Sequence, residues 1–215
     1  MKKMLISVLI ISTVLFCSCG KDPAVAGDTL IKNARVDYRS LDSARVVMTN
    51  TETNEVEQTF EFKYDEKGFL TYSYEGVNGD EAYAQYNNGA ESYTYENGKF
   101  EYLRKGDKNF AVYTRDITHP QADEGLIVFM PKAVADAEVT EEDGVTHVCH
   151  KYDAEKLNQT GVTEFAVDYY FDANGDLLYF VESSVMDSDK HSYKVEITQR
   201  NSVDKVANTA KKYEK

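Results

Sequence analysis

Before Ser43 the apolar residues recur every third or fourth position, and after it every second. Leu30, Ile31, Ala34, Tyr38 and Leu41 fall on one helical stripe, and Asp28 precedes them as a candidate N-cap. The spacing predicts an amphipathic helix over Thr29–Leu41. In Glu55–Tyr64, Val56, Phe60, Phe62 and Tyr64 share one face and Glu57, Thr59, Glu61 and Lys63 the other, the pattern of a half-buried strand. Asp65-Glu66-Lys67-Gly68, Asn78-Gly79, Asn87-Asn88-Gly89 and Glu96-Asn97-Gly98 then supply the positive φ that tight turns need. Between them lie Phe69–Glu75, Glu81–Tyr86, Glu91–Tyr95 and Lys99–Arg104, which predicts a meander of adjacent antiparallel strands.

Residues 116–137 break this rhythm. His119-Pro120 and Met130-Pro131 frame the most apolar run after the leader, Gly125-Leu126-Ile127-Val128-Phe129-Met130, where a loop with a short helix is expected. Strand signals resume at Ala137–Glu141 and Gly144–Tyr152, a helical turn follows near Asp153–Asn158, and three long strands close the domain. In the first of these Phe165, Val167, Tyr169 and Phe171 alternate with polar neighbours; Leu177–Met186 returns, and Tyr193, Val195 and Ile197 alternate in the last. The predicted class is α+β, mainly antiparallel β, over a single domain of residues 28–203. The polar tail, 204–215, is expected to fray.

The N-terminus has a different character. Met1-Lys2-Lys3-Met4 precedes an uncharged run from Leu5 to Phe16 that is shorter than the roughly 20 residues a spanning helix needs, and this is the pattern of a signal peptide. Leu15-Phe16-Cys17-Ser18-Cys19-Gly20 resembles the bacterial lipobox, with small Ser18 before the cysteine and Phe16 where leucine is usual. The resemblance implies cleavage after residue 18, acylation of Cys19 and a tether over 19–27. Each buried methylene contributes about 0.8 kcal/mol, and stable anchoring takes more than one chain. The expected address is extracytoplasmic, anchored by lipid to a bacterial membrane; Gly20 does not select which one.

Charge narrows the partners. Removing residues 1–18 takes only Lys2 and Lys3 away, so the formal net charge of −13 becomes −15 over the 197 residues left of 215. Such a surface repels nucleic acid, which needs clustered Lys and Arg. Tyr 16 and Phe 10 give enough material for a core despite the acidity. Only Cys149 remains as a free thiol after acylation, which rules out an intramolecular disulfide.

Catalytic and metal signatures are weak. His147, Cys149 and His150 are the sole cluster of metal-ligand types, yet on a strand His147 and Cys149 share a face that His150 does not, too few for a structural zinc. Asp172, Asn174 and Asp176 begin like a calcium loop, but Leu177 stands where its glycine belongs and Ser183 where its glutamate belongs. Phosphate-loop, dinucleotide and nucleophile-elbow motifs do not occur. No metal, cofactor or catalytic residue is assigned, and an enzyme is not expected.

The order of elements (lipobox, tether, helix, long meander, apolar interruption, closing strands) resembles the lipoprotein-localisation fold of the LolA and LolB carriers and the mycobacterial LppX and LprG lipoproteins. Glu96-Asn97-Gly98-Lys99-Phe100-Glu101-Tyr102 is similar to their turn-and-aromatic segment, without the tryptophan often found there. The resemblance implies a curved half-barrel sheet packed on an N-terminal helix and a short inserted helix. It also implies a non-catalytic protein that binds a lipid or other hydrophobic small molecule in a cavity under the sheet. The candidate ligand-binding residues are Leu126, Ile127, Val128, Phe129 and Met130, as a lid, together with Phe165, Val167 and Tyr169. The alternative is a surface or scaffold module that recognises a protein or glycan, with Tyr72, Tyr74, Tyr93 and Tyr95 as contacts.

Overall fold

A computed structural model describes residues 23–78, 81–157 and 159–214. The signal peptide, Cys19, the start of the tether, Gly79 and Asn158 lie outside the described residues.

The first element is a helix, α1 (Pro23–Ser40), that begins six residues before the expected Thr29. Proline suits a first helical turn, because its missing N–H would have no intrahelical partner there. Asp28 therefore lies inside the helix and does not cap it. The expected stripe is the buried one: Ile31, Ala34, Tyr38 and Leu41 are all at most 8% exposed. Residues 23–27, assigned to a polar tether, belong to this helix. A Cβ at Gly27 would lie 2.9 Å from Val148 Cγ1 and 3.0 Å from Val139 Cγ2, so only bare backbone lets α1 rest there.

Eleven antiparallel strands follow within the described residues. They are β1 (Ser43–Asn50), β2 (Val56–Tyr64), β3 (Leu70–Asn78), β4 (Glu81–Asn87), β5 (Glu91–Glu96), β6 (Lys99–Arg104), β7 (Val134–Glu142), β8 (Val145–Tyr152), β9 (Val162–Phe171), β10 (Leu177–Met186) and β11 (Asp189–Thr198); a short helix, α2 (Ala154–Leu157), separates β8 from β9. They form one open curved sheet in the order β6-β5-β4-β3-β2-β1-β11-β10-β9-β8-β7. Both halves are the predicted hairpin meanders. They join where β1 pairs with β11, Val46 opposite Ile197 and Met48 opposite Val195.

Period-two alternation decides which side chains meet. Val46, Phe60, Phe62, Leu70, Tyr72, Val167, Tyr169, Phe171, Phe180 and Val195 point to the concave face and form the main core with α1. The helix covers the end where β1 begins: Leu41 leads directly into β1, and a Cβ at Gly175, in the β9–β10 turn, would lie 3.1 Å from Leu30 Cδ2. That end is called the helix end, and the end holding Asn50 and Met186 the far end.

The C-terminal tail departs from expectation. Val206 and Ala210 are buried, Tyr213 packs with Ala210, and a 3-10 turn over Ala210–Tyr213 lies on the convex side of β4 and β5. Tyr213 stacks on Tyr95 at 4.0 Å, and Lys212 pairs with Glu75. Polar composition concealed three well-spaced apolar residues, which suffice to hold so short a segment against an aromatic patch.

Candidate functional site

Residues 113–133 cross the concave face from the helix end to the far end as a strap that contributes no strand to the sheet. Its first residues touch the edge of β3, where Thr114 bridges Phe69 and the Tyr113 carbonyl accepts the Leu70 N–H at 3.0 Å. Two 3-10 turns, Pro120–Ala122 and Glu124–Leu126, stand where a short helix was expected. His119 accepts the Gln121 N–H at 3.2 Å and stacks on Phe60 at 5.0 Å. Tyr38 of α1 donates to the Gln121 carbonyl, and Arg35 reaches the Phe129 carbonyl at 3.2 Å and Glu124 at 3.3 Å.

The predicted lid residues sit at the centre of this strap. Ile127 is 0% exposed; Leu126, Val128, Phe129 and Met130 are half-buried against the core. Phe165, Val167 and Tyr169 share the concave face of β9 beneath the strap. Val167 and Tyr169 are fully buried, Phe165 is half-buried beside Tyr152, and the Tyr169 hydroxyl donates to the Val128 carbonyl. All eight residues therefore come together on one face.

The expected cavity is not open there. The space between the strap and Val46, Met48, Gln58, Phe60, Tyr74 and Val195 amounts to about 10 Å³, room for about one ordered water at most. The strap's own apolar side chains occupy the ground assigned to a ligand.

Polar groups missed as site residues lie at both margins. His150 is 0% exposed between α1, Phe129 and Tyr169, with neither ring nitrogen hydrogen-bonded and Asp28 Oδ1 3.4 Å from Nε2. Burial holds its pKa below the ordinary value against the pull of Asp28, so the ring is neutral. Glu182 lies on the concave face beyond Tyr169, where burial raises its carboxyl to about 7. A charged residue two positions after Phe180, on the apolar face of its strand, was the signal in the sequence. From Glu182 a polar row continues along the far end through Tyr193, Asn50, Glu57, Gln58, Tyr74 and Tyr83. Asn50 donates to Glu57 at 2.8 Å, and Tyr83 donates to Tyr74, which donates to Gln58, both at 3.0 Å. Gly76 makes that row possible, since a Cβ there would overlap the Tyr83 hydroxyl.

The fold has counterparts among solved structures. By sequence, no family and no curated protein matches. By structure, LprF from Mycobacterium bovis superposes with a TM-score of 0.51 over 87% of this chain and 99% of that one, at 13% identity. The chain has an LprF-like fold. LppX from Mycobacterium tuberculosis aligns over 87% of this chain and 100% of its own at a TM-score of 0.41 and 13% identity. A putative outer membrane lipoprotein-sorting protein domain from Vibrio parahaemolyticus aligns at a TM-score of 0.28 and 8% identity, covering 81% of this chain and 91% of that domain. The LprF likeness covers the architecture expected from the sequence, a curved antiparallel sheet packed on an N-terminal helix. No helix among the described residues is long and apolar enough to cross a membrane.

The other candidates fare differently. His147 and Cys149 share the convex face and His150 the concave one, as strand geometry requires; among the described residues no group of three metal-ligand types converges. His147 contacts Asp168 at 2.7 Å and stacks on Tyr170. Burial and Asp168 push the Cys149 thiol up to about 11, which leaves it protonated and a poor nucleophile. The four tyrosines proposed as one recognition surface lie on opposite faces. Tyr72 and Tyr74 belong to the concave side and Tyr93 and Tyr95 to the convex, because Tyr72 pairs with Asn87 and Asn87 with Ser92, next to Tyr93. Tyr72 and Tyr93 are buried, at 5% and 7% exposure.

Proposed function

We propose that the protein is a non-catalytic lipoprotein, anchored through acylated Cys19 to a bacterial cell membrane, that takes an apolar chain onto its concave face as the strap gives way. The carrying observation is the character of the strap. Its apolar centre, Leu126–Met130, covers Val167 and Tyr169 without joining the sheet, and side-chain bonds from Tyr38, Arg35 and Tyr169 to three of its carbonyls help hold it. An alkyl chain satisfies the same apolar surface with no backbone to pair, so exchanging strap for ligand costs a few hydrogen bonds, each worth about 0.5–1.5 kcal/mol net. Signal-peptide removal and acylation follow from the lipobox.

The test uses the mature chain carrying Cys19→Ser, which blocks acylation. Solvent extraction and mass spectrometry are expected to find co-purified lipid, and a fluorescent fatty acid to bind saturably and compete with it. Neither lipid nor saturable uptake would refute the reading.

The filled concave face favours a second reading, recognition of a protein or glycan on the outside of the sheet. Its best surface is the convex ladder in which His147, Tyr170 and Tyr179 stack in sequence and Lys194 lies 4.4 Å from the Tyr179 ring. Saturable binding of a glycan or protein that His147→Ala and Tyr179→Ala abolish, with no lipid uptake, would establish it.

A further inference from the structure

We propose that Glu182 is the head-group receptor of this site and that the preferred ligand is an amphiphile with a primary amine, its tail under the strap and its ammonium on the Glu182 carboxylate. The proposal rests on the uptake reading above and adds the chemical class of the ligand.

Register fixes where Glu182 points. On β10 it shares a face with Phe180, which is 0% exposed, and its partners across the ladder are Val167 on β9 and Tyr193 on β11. The carboxyl therefore lies on the concave floor, adjoining the ground the strap covers. Its charge is felt by Tyr152 and Tyr169, whose hydroxyls meet at 3.3 Å, and the second of these holds the strap at Val128. Glu182 thus marks the point where a chain replacing the strap would emerge toward the far end.

Its surroundings lack a counter-charge. Among the described residues no hydrogen bond or ion pair reaches Glu182, and burial alone raises its carboxyl. A carboxylate held this way gains most from a ligand cation, because an opposite charge offsets desolvation directly. Glu57 adds to the field from the other side of Tyr193, where its charge, after burial, raises the tyrosine hydroxyl. An ammonium group at this point would meet the Glu182 carboxylate beside Tyr193, its cross-strand partner, whose ring suits a neighbouring cation. A carboxylate or phosphate head group would meet repulsion, and an alcohol neither.

Chain-matched amphiphiles separate these cases. Calorimetric titration of the mature Cys19→Ser protein with dodecylamine, dodecanol and dodecanoate, at pH 8 in 0.15 M salt and below micellar concentrations, is expected to rank them in that order. The amine should lead the alcohol by about tenfold, or about 1.4 kcal/mol. Glu182→Gln, a near-isosteric neutral change, should erase the amine's advantage and leave dodecanol unchanged, with its unfolding curve confirming that it folds. An amine preference that survives in Glu182→Gln would reflect general attraction to an acidic surface and overturn the assignment, as would dodecanoate binding as well as the amine. Binding of dodecanol with no amine preference would remove the head-group assignment alone. If none of the three binds, the uptake reading falls and takes this proposal with it.

Discussion

Tyr169→Ala is expected to lower the unfolding free energy by about 3–5 kcal/mol, the range for emptying a large buried aromatic position. Tyr169 is 0% exposed and is the largest of the fully buried side chains. Its ring lies 6.2 Å from Phe180 and 5.8 Å from His150, so its loss opens space between the sheet and the strap. The hydroxyl adds a second, separable effect, because it holds the strap by the Val128 carbonyl. Tyr169→Phe keeps the packing and strands that carbonyl, at about 1–3 kcal/mol. Urea titrations of the two variants measure both terms. If Tyr169→Ala cost less than Tyr169→Phe usually does, the ring would not be the keystone of the concave core.

Acid is expected to destabilise the protein steeply through His119. Burial among Phe60, Tyr72 and Tyr113 lowers its pKa from the ordinary 6.5 to about 4. The unfolded chain therefore binds the proton first, so the histidine's contribution is fully present above pH 6.5 and is lost as pH falls from 6.5 toward 4. The whole drop amounts to about 3 kcal/mol. Glu182 acts in the opposite sense. Its carboxyl is raised from 4.5 to about 7, so its penalty is full above pH 7 and is relieved as pH falls toward 4.5. His119→Phe separates the two, since it keeps a ring against Phe60 and loses only the acceptor for the Gln121 N–H. At pH 7.5 the variant should match the parent or fall about 1 kcal/mol below it; at pH 4.5 it should be the more stable. Parallel stability–pH curves for the two proteins would contradict this role for His119.

The strands were legible because one apolar face needs strict alternation, and Leu177–Met186 begins and ends where alternation places it. Hairpin pairing was legible for the same reason, as Asn97 and Gly175 sit at the positive φ their turns demand. The β1–β11 junction was not, since nothing local to Val46 or Ile197 says that the two meanders meet there. Nor was the start of α1, where close packing of Gly27 on Val139 and Val148 outweighs the polar, small-residue composition that read as a tether. At the site, the apolar run Leu126–Met130 was visible as an anomaly. That it fills the space against Val46, Phe60 and Val195, leaving about 10 Å³ there, depends on the depth to which Ile127 sinks between strands far apart in sequence. Glu182 was visible as a charge on an apolar face, but its place between Val167 and Tyr193 came only with the register of β9, β10 and β11.

The central claim is that the strap yields its place to an apolar ligand, and hydrogen exchange of the mature Cys19→Ser protein with and without saturating dodecylamine tests it most directly. Leu126–Met130 should lose protection on binding while β8–β11 keep or gain it, since the ligand replaces the strap against an intact sheet. Unchanged protection over Leu126–Met130, with new protection on the convex face around Tyr170 and Tyr179, would contradict the account.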